Sequence, residues 1–269
     1  MSTDLEPPAT PTAVPRWGLG DALGGWVLAV VASTLLGVVV LGVTGVSLDA
    51  PAGVGAALGE VVGRLGSGRP PAVTQPPPLA LTAVLQLPLW AVMVAVPLVA
   101  AATKGNGAVR DFGLRMRAID VPVGLVVGAA CQLVAVPALY WLLFRVIGEQ
   151  DVSAEARQLT ERATDPFGVL VLFAIVAIGA PVAEELFFRG LTQRAFRKRG
   201  LGWVPAVGAT AVVFAASHLQ PLQFPALVLA GIVFGVLAER SGRLGPAIWA
   251  HVGFNGVAAA VLVWRPGWL

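Results

Sequence analysis

The sequence predicts an all-α fold, a polytopic bundle of about seven or eight membrane-spanning helices. Three observations carry that prediction. Of 269 residues, 57% are hydrophobic and only 12% are charged, with a mean hydropathy of +0.80. Soluble domains carry about 25% charged residues, so this composition belongs in a bilayer. Apolar runs recur at lengths near the ~20 residues needed to cross about 30 Å of hydrocarbon. Lysine and arginine also gather in alternate connections, the pattern of a chain threaded back and forth under the positive-inside rule.

Taken in order, the first expected span is Trp26 to Val46. A Gly/Pro-rich connection follows, Asp49 to Pro78; an eighth membrane segment inside it would change only the N-terminal side. The second span is about Leu79 to Ala102, leading into a basic loop with Lys104, Arg110, Arg115 and Arg117. The third runs from Val121 to Ile147 and carries Tyr140, Trp141 and Phe144 near its end, as expected at an interface. An acidic loop, Glu149 to Asp165, precedes the fourth span, which opens at Phe167 and runs on into Arg194, Arg197, Lys198 and Arg199. The fifth, sixth and seventh are about Trp203–Leu219, Ala226–Ala238 and Leu244–Trp264. Spans five and six are short for a crossing at 1.5 Å per residue. Their uncharged turn, His218 to Pro225, is expected at membrane depth, where irregular backbone is tolerated only against protein or a water-filled cavity.

The connections after spans two, four and six hold most of the basic residues and lie on one side. That side is expected to be cytoplasmic, together with the N-terminus, in a protein of the plasma membrane. Residues 1–21 lack the basic n-region and short apolar core of a cleaved signal and are expected as a disordered cytoplasmic tail. Residues 22–269 then form one transmembrane domain. A net charge of +3 is too small and too dispersed for nucleic acid. The lone Cys131 excludes an intrachain disulfide. The small-residue pairs Gly124/Gly128 and Gly231/Gly235 read as helix-packing signals without functional weight.

Candidate chemistry sits in the fourth, fifth and seventh spans. Glu184, Glu185 and Arg189 lie within six residues of the fourth. Each charge near the bilayer centre costs about 2.5–3.5 kcal/mol even on lenient insertion scales, so ionisable residues there are a functional site by default. Glu185 and Arg189 are four apart and able to pair, whereas Glu184 is rotated about 100° from Glu185 and expected to address a cavity. The two histidines of the chain are His218, four residues after Phe214, and His251, four residues before Asn255. A carboxylate in an apolar site suits general-base work, and histidine or asparagine can donate to the oxygen of a scissile carbonyl. His218, His251 and Glu184 are also a donor set for zinc with an open water position, although the spacing does not demand a metal.

Glu184-Glu185-Leu-Phe-Phe-Arg189 resembles the Glu-Glu-x-x-x-Arg motif of the CAAX prenyl protease and bacteriocin-processing (CPBP, or Abi) family of intramembrane proteases. Phe214-Ala-Ala-Ser-His218 is similar to its Phe-x-x-x-His motif, and His251-Val-Gly-Phe-Asn255 to its His-x-x-x-Asn/Asp motif. All three stand in order over about residues 166–264, the last four spans; the earlier spans match only as generic apolar helices. The resemblance implies an endopeptidase core opening towards the cytoplasm and a membrane-associated peptide or protein as substrate. It assigns Glu184 with His218 to water activation, and His251 with Asn255 to the oxyanion hole. Glu185, Arg189 and Phe214 would be supporting residues. Members of the family have been described both as metalloproteases and as metal-free enzymes. Two other readings stay open on sequence: a proton-coupled transporter, in which Glu and His relay protons, and a non-catalytic immunity or scaffold protein on the protease fold.

Overall fold

The computed structural model of the protein describes residues 14–44 and 79–265, and all regular structure among them is helical. Helix α1 is Leu19–Thr44 and α2 is Leu79–Lys104. After a single turn at Ala108–Asp111, α3 runs over Asp120–Ile147. A short α4, Ala154–Thr160, leads to the long α5, Pro166–Lys198. Helices α6, α7 and α8 are Trp203–Ser217, Phe224–Ser241 and Gly245–Trp264. Six of these are long and apolar enough to cross a membrane, and α6 is the shorter apolar helix. The protein is therefore a polytopic helical bundle. The connection from Asp49 to Pro78, with its candidate eighth segment, lies outside the described residues.

Two boundaries differ from the sequence expectation. Helix α1 begins at Leu19 rather than Trp26, so residues 14–21, assigned to the tail, are held in place. The Gly18 amide donates to Asp21 Oδ2, Lys104 Nζ pairs with Asp21 Oδ1 at 2.5 Å, and buried Trp17 donates its indole N–H to Asp111. Helix α7 extends to Ser241, past the expected Ala238, because its polar end is neutralised: Arg197 pairs with Glu239 at 3.1 Å and Arg240 lies over the Trp203 ring. The turn between α6 and α7 is tied back to α3, where buried Tyr140 donates to Leu222 O at 2.6 Å.

Helix α8 is the centre of the bundle, packed on α3, α5 and α7. Its contact with α3 is set by glycines. A Cβ on Gly128 would come within 1.9 Å of Ala250 O, one on Gly124 within 2.5 Å of Trp249 Cβ, and one on Gly253 within 2.6 Å of Leu125 O. Small residues let the two backbones touch, and that fixes the depth at which α8 presents His251.

Three wide π turns interrupt the long helices, and two have a cause in sequence. In α5, residues Ala174–Gly179 are π-helical, the Ala180 amide donates back to Ile175 O, and Pro181 comes next. In α3, residues Cys131–Ala135 are π-helical, the Val136 amide donates to Cys131 O, and Pro137 comes next. A proline ring clashes with the carbonyl four residues back, and widening the turn relieves that clash. The third, Glu185–Thr192, has no proline; Thr192 Oγ1 fills an acceptor of the widened ladder by donating to Phe187 O.

Candidate active site

Helix α5 brings Glu184, Glu185 and Arg189 to the middle of the bundle, α6 brings Phe214 and His218, and α8 brings His251 and Asn255. The Glu185 and Arg189 side chains are 0% exposed. A charge pair at that depth persists only if its groups satisfy each other, and here Arg189 Nη1 donates to Glu185 Oε1 at 2.7 Å. Arg189 Nη2 donates to Gly231 O at 3.2 Å and the guanidinium lies over the faces of Phe214 and Phe234, at 4.5 and 5.3 Å, while its Nε makes no hydrogen bond among the described residues.

Glu185 also takes a second donor from across the bundle. His251 Nδ1 lies 2.8 Å from Glu185 Oε1, and its Nε2 lies 3.8 Å from Glu184 Oε2. One imidazole thus bridges the two adjacent carboxylates, so the expected separation of Glu184 and Glu185 onto unrelated surfaces is incomplete. They differ in access and in further partners: Glu184 retains 14% side-chain exposure and Glu185 none, and Glu185 alone pairs with Arg189. A carboxylate can only accept from a ring N–H, so Nδ1 of His251 carries hydrogen. Its Nε2 accepts in the neutral ring and donates in the imidazolium. The ring is fixed by stacking on Phe234 at 4.7 Å and by an edge contact with Phe214 at 5.8 Å.

Phe214 is the common wall of the two histidines. Its ring meets His218 at 4.7 Å as well as His251, and its carbonyl lies 2.8 Å from His218 Nδ1. A carbonyl only accepts, so Nδ1 of His218 donates and Nε2 of the neutral ring presents a lone pair. Glu184, His218 and His251 are therefore brought to one neighbourhood by one aromatic ring and one imidazole.

Asn255 is placed differently from the other motif residues. Its Nδ2 donates to Val176 O at 2.9 Å, in the first π turn of α5. Within that turn each amide bonds five residues back, as Ala180 does to Ile175. The next amide in the series would serve Val176 but belongs to Pro181, which has no N–H. Asn255 supplies the missing donor and leaves one amide hydrogen for other use.

Among the described residues, no three His, Cys, Asp or Glu side chains gather as a metal-binding group. His251 spends Nδ1 on Glu185, and His218 spends Nδ1 on a carbonyl. Those bonds leave Nε2 of each ring, with the Glu184 carboxylate, as the atoms that would hold a zinc ion; no step below runs through a metal.

Several contributors were missed on sequence. The Gly231 and Gly235 carbonyls, on a pair read as packing alone, accept from Arg189 and from buried Gln193. Glycine at 231 also lets α7 approach Ala211, where a Cβ would meet Ala211 Cβ at 2.9 Å. Phe234, which carries the His251 ring, had no signal beyond its place in an apolar helix.

Fold and site together define a polytopic membrane protein with a glutamate–histidine cluster inside its helical bundle. Residues 166–257 match the family described as Rce1-like, type II CAAX prenyl endopeptidase Rce1-like. The matched segment spans α5 to the middle of α8 and contains all three motifs. No curated protein and no solved structure matches the chain.

Proposed function

We propose that the protein is an intramembrane endopeptidase that hydrolyses a peptide bond of a membrane-associated peptide or protein by glutamate-activated water. The single observation that carries this reading is the two-carboxylate, two-imidazole cluster around Phe214, within the segment of the type II CAAX prenyl endopeptidase family. In this reading Glu184, the more accessible member of the glutamate pair, accepts one proton from water while His218 Nε2 accepts a hydrogen bond from the hydrogen that stays on the water oxygen. The water oxygen attacks the scissile carbonyl carbon. The charge that develops on the carbonyl oxygen meets N–H donors from the His251 imidazolium and from the second amide hydrogen of Asn255. The C–N bond then breaks as Glu184 returns its proton to the leaving nitrogen, giving one new carboxyl and one new amine. Glu185 and Arg189 hold the His251 ring in orientation and do not touch substrate.

The same side of the bundle collects the basic connections, and we take it as cytoplasmic in a cell-membrane protein. Lys104, Arg194, Lys198 and Arg243 are all bonded to groups at that end. The substrate would enter from there.

The test is cleavage of a membrane-associated peptide library by the purified protein in proteoliposomes. Glu184→Gln keeps size and insertion and should lower turnover by about 10²–10⁴. Turnover within twofold of the parent would overturn the reading. Chelation by phenanthroline should leave the parent rate unchanged. A chelator-sensitive rate restored by zinc would replace it with the metal reading. Uptake of solute driven by a pH gradient, with no cleavage, would favour the transporter.

A further inference from the structure

A second polar site lies at the basic end of the bundle, outside the glutamate–histidine cluster. The loop 113–119 before α3 and the loop 241–245 between α7 and α8 are stitched together there. Leu244 N donates to Gly113 O at 2.8 Å and Gly245 N to Arg115 O at 3.2 Å. Arg243 grips Asp120 with two nitrogens, Nη2 to Oδ1 at 2.6 Å and Nε to Oδ2 at 3.0 Å, while the Arg117 amide also donates to Asp120. Glycine is required at this seam: Gly113 has φ +65°, and a Cβ on Gly245 would come within 2.3 Å of Asp120 Oδ2. The two loops enclose a recess of about 240 Å³ lined by Arg115, Met116, Arg117, Ser241, Gly242 and Arg243.

The charges in this recess do not balance. Arg243 and Asp120 neutralise each other, which leaves the guanidinium groups of Arg115 and Arg117. Among the described residues neither of these two makes a side-chain hydrogen bond or ion pair. The nearby Arg194 adds a further positive charge and reaches Gly242 O at 3.4 Å. Glu239 is taken by Arg197 and Asp111 by Trp17. Two planar forks on a rigid rim suit an oxyanion with several equivalent oxygens, which a phosphate supplies.

We propose that this recess binds the phosphate of an anionic glycerophospholipid headgroup. The apolar neighbours commit it to lipid rather than to free phosphate. Met116, between the two arginines, and Ile119 are 53% and 58% exposed. An exposed methionine and isoleucine beside a phosphate site would lie against acyl chains at the membrane surface. Gly245 starts α8 at this seam, so the bound headgroup would also brace the helix that carries His251.

The test is thermal unfolding of the full chain in uncharged detergent, with phosphatidylglycerol, phosphatidylcholine or inorganic phosphate added at equal concentration. Phosphatidylglycerol should raise Tm by several degrees, and the other two should not. In Arg115→Gln/Arg117→Gln the Tm without lipid should equal that of the parent, because no intramolecular bond is lost, and the response to phosphatidylglycerol should vanish. Arg110→Gln, in the helical turn before that loop and outside the recess, should respond as the parent does. A full response in the double variant, loss of response in Arg110→Gln, or an equal shift with inorganic phosphate would each overturn the proposal. Native mass spectrometry, counting retained phosphatidylglycerol on parent and double variant, should give the same contrast. None of these readouts uses proteolysis, so the result stands apart from the proposed activity.

Discussion

Arg189→Met tests whether the buried cation is the keystone of the site. The substitution keeps a long, flexible, apolar stem and removes three interactions: the 2.7 Å bond to Glu185, the 3.2 Å bond to Gly231 O and the cation–π contacts with Phe214 and Phe234. Glu185 is then a fully buried carboxylate with His251 as its remaining partner. Breaking a buried pair by removing one member costs about 3–5 kcal/mol, because the surviving charge is uncompensated. Glu185→Gln should cost less, about 2 kcal/mol, since Arg189 keeps the Gly231 carbonyl and both aromatic faces. Removing both charges together should recover most of the loss, so the double variant should sit within about 2 kcal/mol of the parent. The assay is reversible unfolding in bicelles, read as a double-mutant cycle. A coupling below about 0.5 kcal/mol, with the two single costs simply adding, would refute the argument that the pair stabilises the helix core as a unit.

Three further outcomes follow from the structure. Gly128→Ala places a methyl within 1.9 Å of Ala250 O; α3 and α8 must separate, and the variant should lose about 1–3 kcal/mol in unfolding assays, whereas Gly208→Ala, where a Cβ meets nothing within 4 Å, should be neutral. Asn255→Leu should cost about 1–2 kcal/mol by orphaning Val176 O, and Pro181→Ala in the same chain should recover much of it by restoring the missing N–H; a Pro181→Ala background in which the cost of Asn255→Leu is unchanged would contradict that account. Burial holds the Glu155 carboxyl, in the short helix α4, above the ordinary carboxylate range, partly opposed by its hydrogen bond with Gln220. The folded state then binds this proton more tightly than the unfolded one, so stability declines as pH rises from the ordinary carboxylate value through the raised folded value. Glu155→Gln should flatten Tm against pH across that window, and an unchanged slope would count against the assignment.

The helices were legible because hydrophobic length is a local property. Each expected span appears as a helix within a few residues of its expected ends, apart from the early start of α1 and the longer α7. The Glu185–Arg189 pair was legible for the same reason, since residues four apart on a helix meet whatever surrounds them. The histidine contacts were not. Whether His251 meets Glu184, Glu185 or neither depends on how far α8 slides along α5 and α3. That register is set by close contacts at Gly124, Gly128 and Gly253, which single-chain periodicity does not encode. The held N-terminal strap was hidden likewise, because Trp17 and Asp111 are 94 residues apart.

Pro181 shows how a visible residue can carry an unread message. In a membrane helix a proline is commonly tolerated, and here it read only as part of an apolar run. Its missing N–H falls three residues before Glu184 and leaves the Val176 carbonyl without a helical donor. The partner must then come from another helix, and Asn255 on α8 provides it, one turn beyond His251. The asparagine of the third motif thus answers a vacancy made by the helix of the first. The bond also pins α8 to α5 beside the point where His251 reaches the glutamates. A site assembled from three separated helices needs such a fixed register before any of its donors can face a reacting atom. On this argument the spacing from His251 to Asn255 is as much a matter of helix docking as of chemistry. Replacing Asn255 should therefore disturb the His251–Glu185 contact even in protein that has no substrate bound.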